Sequence, residues 1–265
     1  MSASSHQKYV HDITNKYKAY LGSTPRYERY MTGESIPDWV SLLGPDVLLL
    51  THGEATAEIT DSFILYNENH GVTLTFEEET QLRLTPYLHD WGEIIIEGEG
   101  VGSDSIGVGD LTFDDKNAAN EAVEGTIFNK VISEIPDEEV KEAFHIAYQE
   151  VAMKRDTKLG LMFNAIERLG YLQTAINAFV GNEEGKRIKN WKGLAGNVVS
   201  NQISALLHYA KEYPYVKKFL DDEASAIDAI FAEIEEGDIP TDASGKNCYD
   251  VEKVQKAFAA WTERT

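Results

Sequence analysis

The chain has 265 residues, 42% of them hydrophobic and 10% aromatic, enough to bury one large domain or a domain with an extension. Against 24 Lys and Arg stand 45 Asp and Glu, a formal charge of -21, which argues against a nucleic-acid polymer or an anionic membrane surface as partner. The single cysteine, Cys248, excludes an internal disulfide; with a polar N-terminal run and no stretch near the roughly 20 apolar residues of a membrane span, a cytoplasmic protein is expected.

Helical periodicity dominates in chain order. Residues 9–21 carry Tyr9, Ile13, Tyr17 and Tyr20 on one side, and Gly22 supplies a stop. The stretch 22–38 is rich in turn residues and reads as irregular; it contains Arg26 and Arg29. Pro45 and Asp46 open a long helix reaching about residue 69. Thr75, with Glu78 three residues on, reads as the N-cap of a helix over 76–96. Glycines at 98, 100, 102, 107 and 109 then break the pattern. Helices are expected at 115–135, 136–152, 157–180, 197–212, 215–236 and 250–263, with Gly237 to Pro240 as a breaker. Only 72–75 and 94–96 have strand character, and both are short. The predicted fold class is all-α.

The densest chemistry lies in Tyr87-Leu88-His89-Asp90-Trp91-Gly92-Glu93. An imidazole and a carboxylate side by side suit a divalent first-row ion, and such an ion activates water for hydrolysis. A pair alone cannot hold a metal, so partners are needed. His52 sits among apolar residues of the preceding long helix, where a lone histidine is more often a satisfied core group. Glu167 lies in a core-like helix, where an unpaired carboxylate is costly; an ion pair with Arg168 or Arg155 is its plain structural explanation. Order changes the weighing. Three packed helices bearing His, His-Asp and Glu can aim these groups at one point, and the i to i+4 spacing puts His89 and Glu93 on one helical face.

His52, His89-Asp90 and Glu167, in this order, resemble the HD-domain metal-dependent phosphohydrolases, and within them most closely the HD-domain 5′-deoxynucleotidases. His89-Asp90-Trp91-Gly92-Glu93, Gly109-Asp110, and the segment from Glu167 through Gln173-Thr174-Ala175 carry the likeness, which spans roughly residues 40–180. The resemblance implies an HD-domain helical bundle over 1–185 and a C-terminal helical extension over 186–265 packed on it. It implies His52, His89, Asp90 and Glu167 as ligands of one divalent ion (Mn, Co, Mg, Fe, Ni or Zn). Glu93 and Asp110 take catalytic roles, with Asp110 positioning or deprotonating the attacking water. Arg26, Arg29 and Arg155 are the candidate phosphate-binding cations.

The expected activity is release of phosphate from deoxynucleoside 5′-monophosphates. The alternatives are another nucleotide phosphate bond (a dNTP, a cyclic dinucleotide or an alarmone) or a non-catalytic helical module that binds metal and nucleotide. Related enzymes often pair, so a homodimer is the expected assembly. Two departures stand out. The family usually has Asp where Glu167 stands, and residues 98–108 look inserted before Asp110, so Glu97 and Asp104 are alternatives for its role. A second His-Asp, His11-Asp12, lacks an acidic follower and reads as chance.

Overall fold

The computed structural model describes residues 3–21, 26, 35–44, 47–93, 113–180, 191–238, 241, 243–244 and 250–263. Every regular element among them is helical: α1 (Ala3–Lys16), α2 (Lys18–Leu21), α3 (Ile36–Leu43), α4 (Leu49–Glu68), α5 (Phe76–Leu88), α6 (Phe113–Ile132), α7 (Glu138–Ile146), α8 (Lys158–Val180), α9 (Trp191–Tyr209), α10 (Pro214–Asp222), α11 (Ala224–Glu233) and α12 (Val251–Thr262). The all-α expectation holds. None of these helices is long and apolar enough to cross a membrane.

Local signals explain several boundaries. Thr75 Oγ1 accepts the Glu78 N–H at 3.2 Å while the Glu78 carboxylate accepts the Thr75 N–H at 2.8 Å, closing the capping box at the start of α5. Lys158 then reaches Glu78 at 2.8 Å and ties the start of α8 to the start of α5; this bond is the chief reason the Glu78 carboxyl is held below its usual range. Inside the stretch read as irregular, α3 begins with Pro37 in its first turn, where the missing N–H costs nothing.

The helix expected over 136–152 is α7 followed by one wide π-turn, Ala147–Ala152, closed by the Met153 N–H on the Tyr148 carbonyl at 2.9 Å. That turn leaves Tyr148 fully buried and stacked on Phe128, with ring centroids 3.8 Å apart. The helix expected over 215–236 is likewise two, because the chain bends at Glu223. The bend lets Val216 and Leu220 of α10 and Ile227 and Ile230 of α11 all face one core.

Two hydrophobic clusters result. The larger joins α3, α4 and α8 through α12, so residues beyond 186 share their apolar contacts with α4 and α8. The smaller joins α1, α2, α6, α7 and the π-turn. Helices α4 and α5 straddle the two: Phe63, Ile64 and Leu82 belong to the first, and Leu49, Leu84 and Leu88 to the second. The polar site described next lies at this seam.

Candidate metal centre

Helix α4 delivers His52 in its first turn, buried to 1% exposure. Helix α5 ends at Leu88, and His89 caps it, its N–H on the Thr85 carbonyl at 3.0 Å. Asp90 follows, and its carbonyl accepts the Glu93 N–H at 3.0 Å, closing a 3-10 turn over Trp91–Glu93. Trp91 anchors that turn by packing edge-on against Phe144, with centroids 5.8 Å apart. Glycines let the backbones close. A Cβ at Gly53 would stand 3.1 Å from the Pro86 carbonyl oxygen, so this residue type brings the start of α4 against the end of α5. A Cβ at Gly92 would stand 2.7 Å from the Glu124 carbonyl oxygen of α6.

The three side chains converge. Nε2 of His52 lies 2.8 Å from Nε2 of His89, and the Asp90 carboxylate spans both, 3.3 Å from each. Donor atoms about 2.1 Å from a shared ion, at right angles, sit about 3 Å apart. The observed spacings match that edge length, so these residues fit a divalent cation as facial ligands. His89 Nδ1–H donates to the Pro86 carbonyl at 2.8 Å, which leaves its Nε2 lone pair aimed at the cluster. The His89 ring also meets Phe163 of α8 edge-on at 5.2 Å. Burial pushes the His89 imidazole below its usual value, against the opposing pull of Asp90, so the neutral ligand form is favoured.

Arg26 occupies the other side. Its backbone N–H is pinned to the Val47 carbonyl at 2.8 Å, and its side chain is 7% exposed. Nη1 lies 2.5 Å from Nδ1 of His52, Nη2 lies 3.8 Å from Asp90, and Nη2 donates to the Tyr171 hydroxyl at 2.9 Å. Guanidinium only donates, so Nδ1 of His52 accepts and the His52 proton resides on Nε2, directed at His89. Loading a cation through Nε2 requires that proton to move to Nδ1, which displaces the Arg26 contact there. Thr56 Oγ1, 3.4 Å from the same Nδ1, adds a second polar neighbour.

Of the residues singled out from the sequence, His52, His89 and Asp90 form one group whose ligand atoms all lie within 4.8 Å of one another. Glu167 is outside that group. Its carboxylate accepts the Tyr171 hydroxyl proton at 3.0 Å, not a bond from Arg168 or Arg155, so the chain Arg26–Tyr171–Glu167 runs beside the cluster. Arg168 is engaged with Asn164, Asn201 and Gln202. Arg155 is exposed and its charge acts on Tyr209. Glu93 is half-buried on the turn that follows Asp90. Arg29, Asp110, Glu97 and Asp104 lie outside the described residues. Tyr171 went unnoticed in the sequence; its signal was the i to i+4 spacing from Glu167 on one helical face.

Asp90, together with Trp91, helps to line a cleft of about 650 Å³ between α1, α4 and α5, while His52 and His89 lie buried behind it. No family model matches this chain, nor does any curated protein or solved structure.

Proposed function

We propose that this protein is a divalent-metal-dependent phosphohydrolase of the HD type acting on small phosphomonoesters, deoxynucleoside 5′-monophosphates foremost. The observation that carries this reading is the convergence of His52, His89 and Asp90, whose ligand atoms lie 2.8–3.3 Å apart, with Asp90 reaching the edge of a cleft. A bound divalent ion supplies Lewis acidity toward water and a phosphoryl oxygen.

The chain's own residues supply the rest. His89 is held in its ligand tautomer by the Pro86 carbonyl. Arg26 sets a fixed positive charge beside the carboxylate cluster, where it offsets the charge of a phosphate. Tyr171 holds that guanidinium in register with Glu167. Glu93, on the turn after Asp90, is assigned the supporting acidic role behind the ligands, and Asp110, outside the described residues, keeps the role of positioning or deprotonating the attacking water. Among the described residues, Arg26 is the candidate phosphate-binding arginine that lies at the cluster.

Phosphate release measured colourimetrically across a panel of nucleoside mono-, di- and triphosphates, with Mn²⁺, Co²⁺ or Mg²⁺, tests the reading. Release from monophosphates supports it; no release from any substrate with any of the ions overturns it. One observation favours a second reading, a metal- and nucleotide-binding module without turnover. The carboxylate of Glu167 is held by Tyr171 rather than directed into the cluster. Binding of metal and nucleotide without turnover in the same panel would select the module.

A further inference from the structure

The cleft beside Asp90 has a chemistry of its own. Its volume, about 650 Å³, falls in the range of about 300–1,000 Å³ typical of small-molecule sites. Leu49, Leu50, Leu84 and the rings of Phe76 and Tyr87 make its walls apolar. Phe76 is 85% and Tyr87 39% exposed, so two partly exposed aromatic side chains stand at its rim.

The charges lining it are one-sided. Glu54, Asp61, Glu79 and Asp90 contribute carboxylates, and Arg83 is the cation among the described lining residues. Arg83 is already engaged: it bonds Glu79 at 2.8 Å and pairs with Asp61. Glu54 has no hydrogen bond or ion pair among the described residues and faces the same space from α4. The negative field is felt at the rim. Burial and then the charges of Asp61, Glu54 and Glu58 push the Tyr87 hydroxyl above its usual value. On α1, His6 also borders the cleft, although its Nε2 is buried away from solvent.

We infer that this cleft binds an apolar organic group carrying an amine, and that it excludes anionic groups. Aromatic faces together with carboxylates are the means by which proteins hold ammonium groups, whereas a carboxylate or second phosphate placed here would meet Glu54, Asp61 and Glu79 at close range. The binding preference stands on the cleft alone. Its role as the seat of the substrate's organic part rests on the hydrolase reading: there a nucleobase would present an uncharged amino group as a donor to the carboxylates, and substrates that carry further phosphates into the cleft are disfavoured.

Isothermal titration of the metal-free protein with phenethylamine, 2-phenylethanol and phenylacetate tests this, because the three share a skeleton and differ in charge. Phenethylamine should bind about tenfold more tightly than the alcohol, and phenylacetate should not bind. Glu54→Gln should shrink the amine preference and Glu54→Lys should remove it, with helical circular dichroism unchanged at this exposed position. Equal affinities, preference for phenylacetate, absence of binding by all three, or indifference to both Glu54 variants would overturn the inference. Because no metal and no turnover enter the measurement, a failed phosphate-release panel leaves it standing, and the reverse holds equally.

Discussion

Substituting Gly92 by alanine tests how the 3-10 turn is held against α6. The added methyl carbon would stand 2.7 Å from the Glu124 carbonyl oxygen, 2.8 Å from its Cβ and 2.9 Å from its Cα. These are largely backbone atoms of a helix, so they cannot swing aside, and the turn must retreat by several tenths of an ångström. Overpacking of this kind costs about 1–3 kcal/mol, which for a domain of this size lowers the melting temperature by roughly 2–10 °C.

Gly53→Ala is the internal control. Its methyl would stand 3.1 Å from one carbonyl oxygen, and an alanine inside a helix gains about 1 kcal/mol over glycine, so its stability should stay within about 1 kcal/mol of the parent. Thermal melts followed by circular dichroism compare the two. Asp90 is the residue before the displaced turn, so Gly92→Ala should also weaken divalent-ion binding. A Gly92→Ala protein that melts at or above the parent temperature, or one hurt less than Gly53→Ala, would refute the close-approach argument.

Other outcomes follow from the site. In the metal-free protein, burial depresses the His89 imidazole below 6.5, so the unfolded chain takes up the proton first and the associated stability, present above that pH, is lost as pH falls below it. Urea melts between pH 8 and 5 should therefore show a steeper loss for the parent than for His89→Gln; equal slopes would contradict the assignment. Tyr171→Phe removes the hydroxyl that joins Arg26 to Glu167, so turnover should fall by about tenfold or more while ion binding persists, and unchanged kcat and KM would exclude a positioning role for Tyr171. Glu93→Ala should retain the ion and lose about 10²–10⁴-fold in turnover; full activity would remove Glu93 from the catalytic site.

Much of the fold was legible because its signals are local. The Thr75–Glu78 box and the helical periodicity of α4, α8 and α12 lie within single elements. What escaped depends on tertiary packing. The bend at Glu223 exists because two apolar faces must reach one core, and the π-turn at Ala147–Ala152 accompanies burial of Tyr148 against Phe128. Helix α3 was hidden in a turn-rich stretch, although Ser35-Ile36-Pro37-Asp38 carries a start signal in hindsight.

At the site, chain order pointed to His52 and His89-Asp90 as neighbours, and the fold does bring them together. Pairing of the buried polar groups was not readable. Of the two candidate arginines among the described residues, Arg26 is the one at the cluster, because the Val47 carbonyl and Tyr171 fix it there. Glu167 meets a tyrosine one turn along its own helix instead of an arginine. Hydroxyl partners of this sort leave little trace in composition or charge pattern.

The central claim is that His52, His89 and Asp90 hold one divalent cation. Its most direct test is the metal content of the purified protein after loading with Mn²⁺ or Co²⁺ and removal of excess ion, measured beside His89→Ala and Asp90→Ala. The parent should carry a single ion per chain and both variants should lose it, with helical circular dichroism largely kept. A parent that retains no ion, or variants that retain it as well as the parent, would contradict the claim.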